Sequence, residues 1–522
     1  MTLIKTKSTT SSGRKPSDFR VLLVYPNIQQ CALMPYSIGL FTSILRKEGF
    51  GVELFDCTFY QNDLNRNYAH YQTAVRSFDW NEKGVVFNSN DMIADFQKKI
   101  DEFQPDLLAI SVVENTYPVA RSMIRSLRKK VPTLWGGVFA TFAPEVILRD
   151  DVGDYICRGE GEATIVDVCQ RLLNDKDITN TPNLWVKKDG KIFKNPMRPV
   201  VDLNTLPIPD YDLFEEQAIY RPMQGKIWRT VGIESQRGCP FTCTYCNSPS
   251  NNAITKSETN SRFYRKKSLE KVHEEISVLK KRHNIELIYW LVDTFLALSD
   301  KEYDEFLNMY LDFKIPFWMN TRAETVNEYR AEGLERMNCL RMSIGIEHGN
   351  AEYRETMLKR HVSNEKMLAA FRAVSGRKYI ANGNSIIGMP EENRGLIFDT
   401  INFCRQLPKD VEYTGAFIFA PYWGTPLREI AVSKGYLPAD TICDIQDPTV
   451  SMLDQPQLRR SELLGLARTF GFYQALPKSE WHRIEQAEQN TVQGREIFES
   501  LQNEYQQLNA AARLDEGVRP VV

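Results

Sequence analysis

The chain lacks a long apolar run. Its longest hydrophobic stretches, such as "LLAISVV" and "VLLVY", have the length of buried strands. Spanning a bilayer takes roughly 18 residues, so no transmembrane segment is expected. There is no excess of either charge: 65 Lys and Arg face 67 Asp and Glu, for a formal net charge of -2. That balance gives no sign of a polyanion-binding surface, and no basic-aromatic patch argues for nucleic acid. No secretory signal is expected either. The opening "MTLIKTKSTTSSGRKPSD" is basic and Ser/Thr-rich without an apolar core, and residues 1–18 read as a disordered tail. Ten cysteines among 522 residues do not make a disulfide framework, so the expected compartment is the reducing cytoplasm. Seven of them (Cys31, Cys57, Cys157, Cys169, Cys339, Cys404 and Cys443) are scattered and read as small core residues.

What is present is an ordinary globular composition, 42% hydrophobic and 25% charged, at a length that predicts two or three domains. From residue 19, apolar runs alternate with helix-period segments. "FRVLLVYP" reads as a buried strand. "SIGLFTSILRKEG" places Ile38, Phe41, Ile44 and Leu45 on one helical face and stops at Gly49. The strand "GVELFDCTF" comes next, then a polar, aromatic insertion from about 60 to 90 and a helix near 91–103. Beyond it lie the strand "DLLAISVV", a helix from about 116 with Pro118 in its first turn, "TLWGG", a short helix, "DYICRGEGE", and a helix ending near Leu173. The pattern predicts a Rossmann-like, doubly wound α/β domain with a parallel sheet over 19–200. Ligands of such sheets lie beyond the carboxyl ends of the strands. The loops there carry Ser111 with Glu114, Gly136-Gly137, and Gly159-Glu160-Gly161-Glu162. No G-x-G-x-x-G follows the first strand, so a dinucleotide fingerprint is missing. "WVKKDGKIFK" predicts a hairpin turning at Asp189-Gly190.

A Pro- and Asp-rich linker is expected over 201–225, and a second α/β run over 226–438. Its strands fall at 230–236, 287–293, 317–323, 341–347, 384–390 and 412–423. Six βα units predict a partial (β/α)6 TIM-like barrel with its reactive face at the strand C-termini. Residues 439–522 read as a C-terminal helical region, with "SELLGLARTFGFYQAL" more consistent with a core-facing helix than with a membrane-docking one.

Just after the first barrel strand, "RGCPFTCTYC" sets Cys239, Cys243 and Cys246 in a C-x3-C-x2-C spacing. Clustered thiolates on one loop bind a soft metal. Structural zinc wants four protein ligands, and no further Cys or His occurs in the next 25 residues; His273 is the nearest. Three thiolates instead suit a four-iron cluster with one iron open. Zinc, and cysteines buried for packing alone, stand as the alternatives.

This motif resembles that of the radical S-adenosylmethionine (SAM) enzymes, whose three cysteines hold a 4Fe-4S cluster while methionine chelates the fourth iron. Tyr245 matches the aromatic residue before the last cysteine. The resemblance continues through Asp293 in "LVDTF", Arg322, Glu347 in "SIGIEHG", and Gly388 and Glu391 in "NSIIGMPEE", and implies SAM contacts for all of them. Asn384 stands where that last segment usually opens with Gly, and Trp423 is inserted in "PYWGTPL". The N-terminal stretches "RVLLVYPN", "DLLAISVVENTYPVA", "LWGGVFATFAPE" and "DYICRGEGEAT" resemble the branch whose barrel follows a cobalamin-binding domain. The resemblance implies cobalamin contacts from Ser111, Glu114, Gly136, Gly137, Gly159 and Glu160. No D-x-H-x-x-G occurs, and no His precedes His70. Bound cobalamin would therefore carry no imidazole on its lower face.

The resemblance implies a cobalamin-dependent methyltransferase that adds a methyl group to an unactivated carbon of a small metabolite, by way of a 5′-deoxyadenosyl radical and methylcobalamin. It also implies an external one-electron reductant of flavodoxin or ferredoxin type. A non-methylating oxidative cyclase or ring-contracting enzyme is the alternative. A methylthiotransferase would carry a further N-terminal cysteine trio, whereas only Cys31 and Cys57 precede residue 150. A non-catalytic metal-binding protein is the remaining class.

Overall fold

The computed structural model describes residues 14–27, 33–61, 78–443 and 450–515. Cys31, His70, residues 1–13 of the expected tail and residues 62–77 of the expected insertion lie outside the described residues. The chain divides into two compact units, one of Met1–Gln61, Trp80–Arg221 and Asn251–Phe263, the other of Asn62–Asp79, Pro222–Ser250 and Tyr264–Val522.

The first unit is built on a seven-stranded sheet. Its strands are β1 (Arg20–Tyr25), β2 (Gly51–Asp56), β3 (Leu107–Ser111), β4 (Thr133–Gly136), β5 (Tyr155–Cys157), β6 (Leu184–Lys188) and β7 (Lys191–Lys194), in the order β2-β1-β3-β4-β5-β6-β7. The first five strands in that order pair in parallel. Val21, Leu22, Leu23, Leu107 and Leu108 are fully buried, as expected of strands covered on both faces. The 2-1-3-4-5 order reverses between β1 and β3 and opens a crevice at their carboxyl ends. The helices are punctuated as the sequence predicts. Asp91 caps Met92–Phe103 by accepting from the Ile93 amide at 2.8 Å, and Pro118 lies in the first turn of Tyr117–Arg125.

Two details differ from the expectation. The sheet is mixed, because the β6–β7 hairpin joins its edge antiparallel through β5. Asp189 and Gly190 both take positive φ, so the chain reverses in two residues and has no crossover with which to pair in parallel. The single short helix after β4 is two, Val138–Phe142 and Pro144–Arg149, divided at Ala143 by the proline that follows it. The Pro- and Asp-rich segment lies along helix Tyr36–Lys47. The Asp210 amide donates to Gly39 O at 2.9 Å and Arg46 pairs with Asp210 at 2.6 Å. A Cβ on Gly39 would come within 2.7 Å of the Tyr211 ring, so only glycine admits this contact.

The second unit has the sheet order β16-β15-β14-β13-β12-β9-β8. β8 (Tyr220–Met223) precedes six parallel strands in sequential order: β9 (Lys226–Ile233), β12 (Leu287–Trp290), β13 (Phe317–Arg322), β14 (Cys339–Glu347), β15 (Ile380–Ile387) and β16 (Glu412–Ile418). This is the partial barrel. Between β9 and β12 a two-stranded ribbon, β10 (Gln236–Arg237) with β11 (Arg265–Lys266), flanks the cysteine loop. The first barrel strand was expected at 230–236; it starts earlier and stops at Ile233, because Gln236 and Arg237 leave the barrel to pair with β11. Helix Leu269–His283 is capped by Ser268 and buries Val272, Ile276 and Leu279, as its spacing predicts. The C-terminal region is helical over Arg460–Ala475, Trp481–Ala487 and Val492–Asp515. No described helix is long and apolar enough to cross a membrane.

Candidate functional site

The three cysteines sit on the loop after β10, at the carboxyl end of the barrel strands. Gly238, at φ +82, turns the chain into the loop. The loop is pinned at its centre. The Thr244 amide donates to Leu358 O at 3.1 Å, its hydroxyl to Met357 O at 2.7 Å, and its carbonyl accepts from the Leu427 amide at 3.0 Å. Segments following β14 and β16 therefore fix a loop that follows β9.

Each sulfur has a polar neighbour. Cys239 Sγ lies 3.4 Å from Thr294 Oγ1, Cys246 Sγ accepts from the Ser248 amide at 3.4 Å, and Cys243 Sγ accepts from Arg322 Nη1 at 2.6 Å. Burial pushes the Cys239 thiol up and the Cys246 thiol to about 11. Among the described residues no group of three His, Cys, Asp or Glu side chains converges as a single bound ion requires. Three thiols, each beside a polar group, suit a cubane with one iron left open, and no fourth Cys or His among the described residues joins them to complete a zinc site.

Around the loop the barrel strands deliver further groups. Asp293, beyond β12, is exposed and accepts from the Ser248 hydroxyl. Arg322 ends β13. Its guanidinium lies 3.9 Å from the centre of the Phe241 ring and holds Glu324 through Nε at 2.7 Å. Glu347 ends β14 at φ +64. Its carboxylate folds back over Gly345, where a Cβ would stand 2.1 Å from Oε1. Burial raises the Glu347 carboxyl, against the pull of Arg360 at 3.8 Å. Arg360 is itself buried, donates to the Tyr245 hydroxyl at 3.2 Å and to Gly345 O at 2.5 Å, and is kept charged, against its burial, by the nearby Glu347 carboxylate. Burial raises the Tyr245 phenol, which lies against Cys243. The structure thus brings Tyr245, Arg322 and Glu347 to the Cys243 side of the loop, and Asp293 to the Cys246 side.

The end of β15 is organised differently from the sequence expectation. Gly388 takes φ +81, and its amide donates to Glu392 Oε2 at 2.5 Å, joined by the Met389 amide at 3.1 Å. Glu392 and His348 are fully buried and paired at 3.1 Å. Glu391 turns instead to the Tyr436 hydroxyl at 2.5 Å and Lys434 at 3.2 Å. Asn384, in the place of the usual opening glycine, accepts from the Asn382 amide group at 2.8 Å, and the close packing falls one residue earlier, at Gly383 against Ile346. Arg360, Thr294, Glu324, His348 and Glu392 were not singled out from the sequence. Only the neighbouring acid at 391 hinted at one of them.

In the first unit, Ser111 and Gly136 are register partners at the ends of β3 and β4. Gly137 has φ +99, and a Cβ there would lie 2.3 Å from Val112 O. Gly136 has open space, with nothing within 4 Å of an added Cβ, and Val113 beside it is 46% exposed. The Gly159 amide donates to Thr141 Oγ1 at 3.0 Å, which ties β5 to the helix after β4. Glu114 is buried, and Glu160 accepts from the Val201 amide at 2.9 Å. The bare edge at Val113 and Gly136 fits a broad flat ligand such as a corrin. Residues 78–221 contain no His, so they offer it no imidazole.

Comparison with known proteins agrees with both halves. Residues 233–404 match the radical SAM superfamily and residues 69–169 the B12 binding domain. An uncharacterised methyltransferase of Pyrococcus horikoshii is 29% identical over 66% of this chain and 73% of its own length. The anaerobic magnesium-protoporphyrin IX monomethyl ester cyclase of Rubrivivax gelatinosus is 25% identical over 62% of this chain and 58% of its own. Among solved structures, the radical SAM methyltransferase TsrM of Kitasatospora setae, with cobalamin and a [4Fe-4S] cluster bound, superposes with a TM-score of 0.61 at 15% identity, covering 94% of this chain and 99% of its own. A three-thiol loop at the mouth of a partial barrel, in one chain with a doubly wound cobalamin-type sheet, defines a class of radical enzymes. Residues 233–404 form a radical SAM domain and residues 69–169 a B12-binding domain, and the cofactors are a 4Fe-4S cluster, SAM and cobalamin.

Proposed function

We propose that this cobalamin-dependent radical SAM enzyme is a methyltransferase acting on an unactivated carbon of a small metabolite. The observation that carries the reading is the site itself: three thiols, each beside a fixed polar group, on a loop pinned from two other strand ends. The methyltransferase relatives support the choice of reaction. The cofactors supply the radical and the transferable methyl group; the protein binds, orients and keeps water out. Cys239, Cys243 and Cys246 hold the cluster. Asp293 and Glu347 receive polar groups of SAM, with Tyr245 and Gly388 lining its place. Ser111, Gly136, Gly137 and Gly159 form the edge that receives the corrin. Glu114 and Glu160 shape that edge from behind, and Glu391 does the same for the end of β15 through Tyr436.

The similarity to the cyclase favours a second reading, a radical reaction without methyl transfer. Anaerobic protein reconstituted with iron, sulfide and cobalamin, then given SAM and a strong reductant, separates the two. A methyltransferase yields S-adenosylhomocysteine as well as 5′-deoxyadenosine. 5′-Deoxyadenosine alone would favour the second reading, and neither product would refute both. A Cys243→Ala variant is expected to lose the cluster and keep cobalamin.

A further inference from the structure

We infer that Arg322, rather than only lining a ligand pocket, sets how readily the cluster takes up its electron; this rests on the radical SAM reading of the cysteine loop. Each nitrogen of the Arg322 guanidinium donates a hydrogen bond. Nη1 donates to Cys243 Sγ at 2.6 Å, Nε donates to Glu324 Oε1 at 2.7 Å, Nη2 reaches the same oxygen, and the plane lies 3.9 Å from the centre of the Phe241 ring. It is held on three sides and only 6% exposed, at the last residue of β13. Arg does not titrate in the working range, so its charge is permanent. A positive charge and a hydrogen bond on a ligating sulfur draw electron density from an iron–sulfur cluster and favour the reduced form.

Glu324 works in the opposite sense. Its Oε1 is shared by two nitrogens of Arg322, and its Oε2 is buried without a hydrogen-bond partner. A carboxylate left half-satisfied in a buried place is costly. Its position opposes part of the Arg322 charge at the sulfur. Two residues of one ion pair thus act on one sulfur with opposite sign, which distinguishes tuning from scaffolding: loss of a structural pair perturbs the site the same way whichever partner goes.

The test is a reductive titration of the anaerobically reconstituted full chain, without SAM. The reduced cluster is followed by electron paramagnetic resonance, and iron and sulfide are counted for each sample. In Arg322→Gln the equilibrium moves at least tenfold toward the oxidised cluster, a fall of 59 mV in midpoint for one electron. In Glu324→Gln it moves toward the reduced cluster. Arg322→Lys, which keeps the charge and loses the fork, falls between Arg322→Gln and the wild type. Equilibria within twofold of wild type in both glutamine variants, or displaced in the same direction, overturn the inference. If Arg322→Gln fails to load a cluster, Glu324→Gln and Arg322→Lys decide by the same signs. A wild-type chain that loads no four-iron cluster overturns instead the reading on which the inference rests.

Discussion

Replacing Arg360 by Met removes the cation under the Cys243 side of the site and keeps an unbranched apolar stem in its place. The guanidinium is 2% exposed and stands 3.8 Å from Glu347, whose side chain is 14% exposed. At that distance, with an effective dielectric constant of about 20, the attraction is about 4 kcal/mol. Breaking a buried pair from one side costs about 3–5 kcal/mol, because the remaining charge stays desolvated. The variant also leaves Gly345 O and the Tyr245 hydroxyl without their donor. We expect Arg360→Met to lose about 3–5 kcal/mol of protection in amide hydrogen exchange across β14 and β15, a local readout suited to a chain of two units. The loss depends on pH in a defined sense. The Glu347 carboxyl is already raised above its ordinary 4.5 by burial, and removing Arg360 raises it further. The folded variant then holds a proton that the unfolded chain has released, so its stability falls as pH climbs through that window. The deficit is therefore smaller near pH 5.5 than near pH 8, and Arg360→Met with Glu347→Gln recovers most of it. A loss below about 1 kcal/mol at pH 8 would refute the reasoning, as would a deficit that grows on acidification.

Asp56, at the end of β2, is lifted by burial from 3.8 to about 6, and its Oδ1 accepts both the Thr58 amide at 2.9 Å and the Thr58 hydroxyl at 2.6 Å. Asn keeps both bonds, so Asp56→Asn is expected to be the more stable by up to about 3 kcal/mol at pH 8, with roughly half that advantage at pH 5, in denaturant melts of the first unit. Gly136→Ala leaves the melt unchanged, for its Cβ meets nothing, but weakens cobalamin retention on gel filtration; Gly137→Ala costs about 2 kcal/mol or more, because its Cβ would strike Val112 O at φ +99. Glu392→Ala strands His348 and two backbone amides and costs about 3–5 kcal/mol in β15 exchange protection, whereas Glu391→Ala, on its more exposed pair, costs under about 1 kcal/mol.

The strands and helices were legible where apolar spacing is regular. Residues such as Val21, Leu23, Val272 and Ile276 announce their burial by period alone. The cysteine loop was legible because its chemistry is local, three thiols in eight residues. The groups that surround it were less so, since they come from four strand ends far apart in sequence. Arg360 follows an unremarkable helical segment, and nothing in "KRHVS" marks it as the partner of Tyr245, 115 residues away. "PEE" offers two adjacent acids, and only the positive φ at Gly388 and Glu391 decides that the second turns inward. The antiparallel β6–β7 hairpin was visible as a hairpin, but its place on the sheet depends on pairing that no local pattern encodes.

Gly388 closes against Leu463 of helix Arg460–Ala475, where a Cβ would stand 2.5 Å from the leucine side chain. Arg394, at the start of the next helix, is clasped through both nitrogens by Glu488 at 2.8 Å. During synthesis, then, the ribosome must have released some 100 residues beyond β15 before that strand end acquires its cover. Until that moment the end of β15 in the nascent half-barrel stays uncovered.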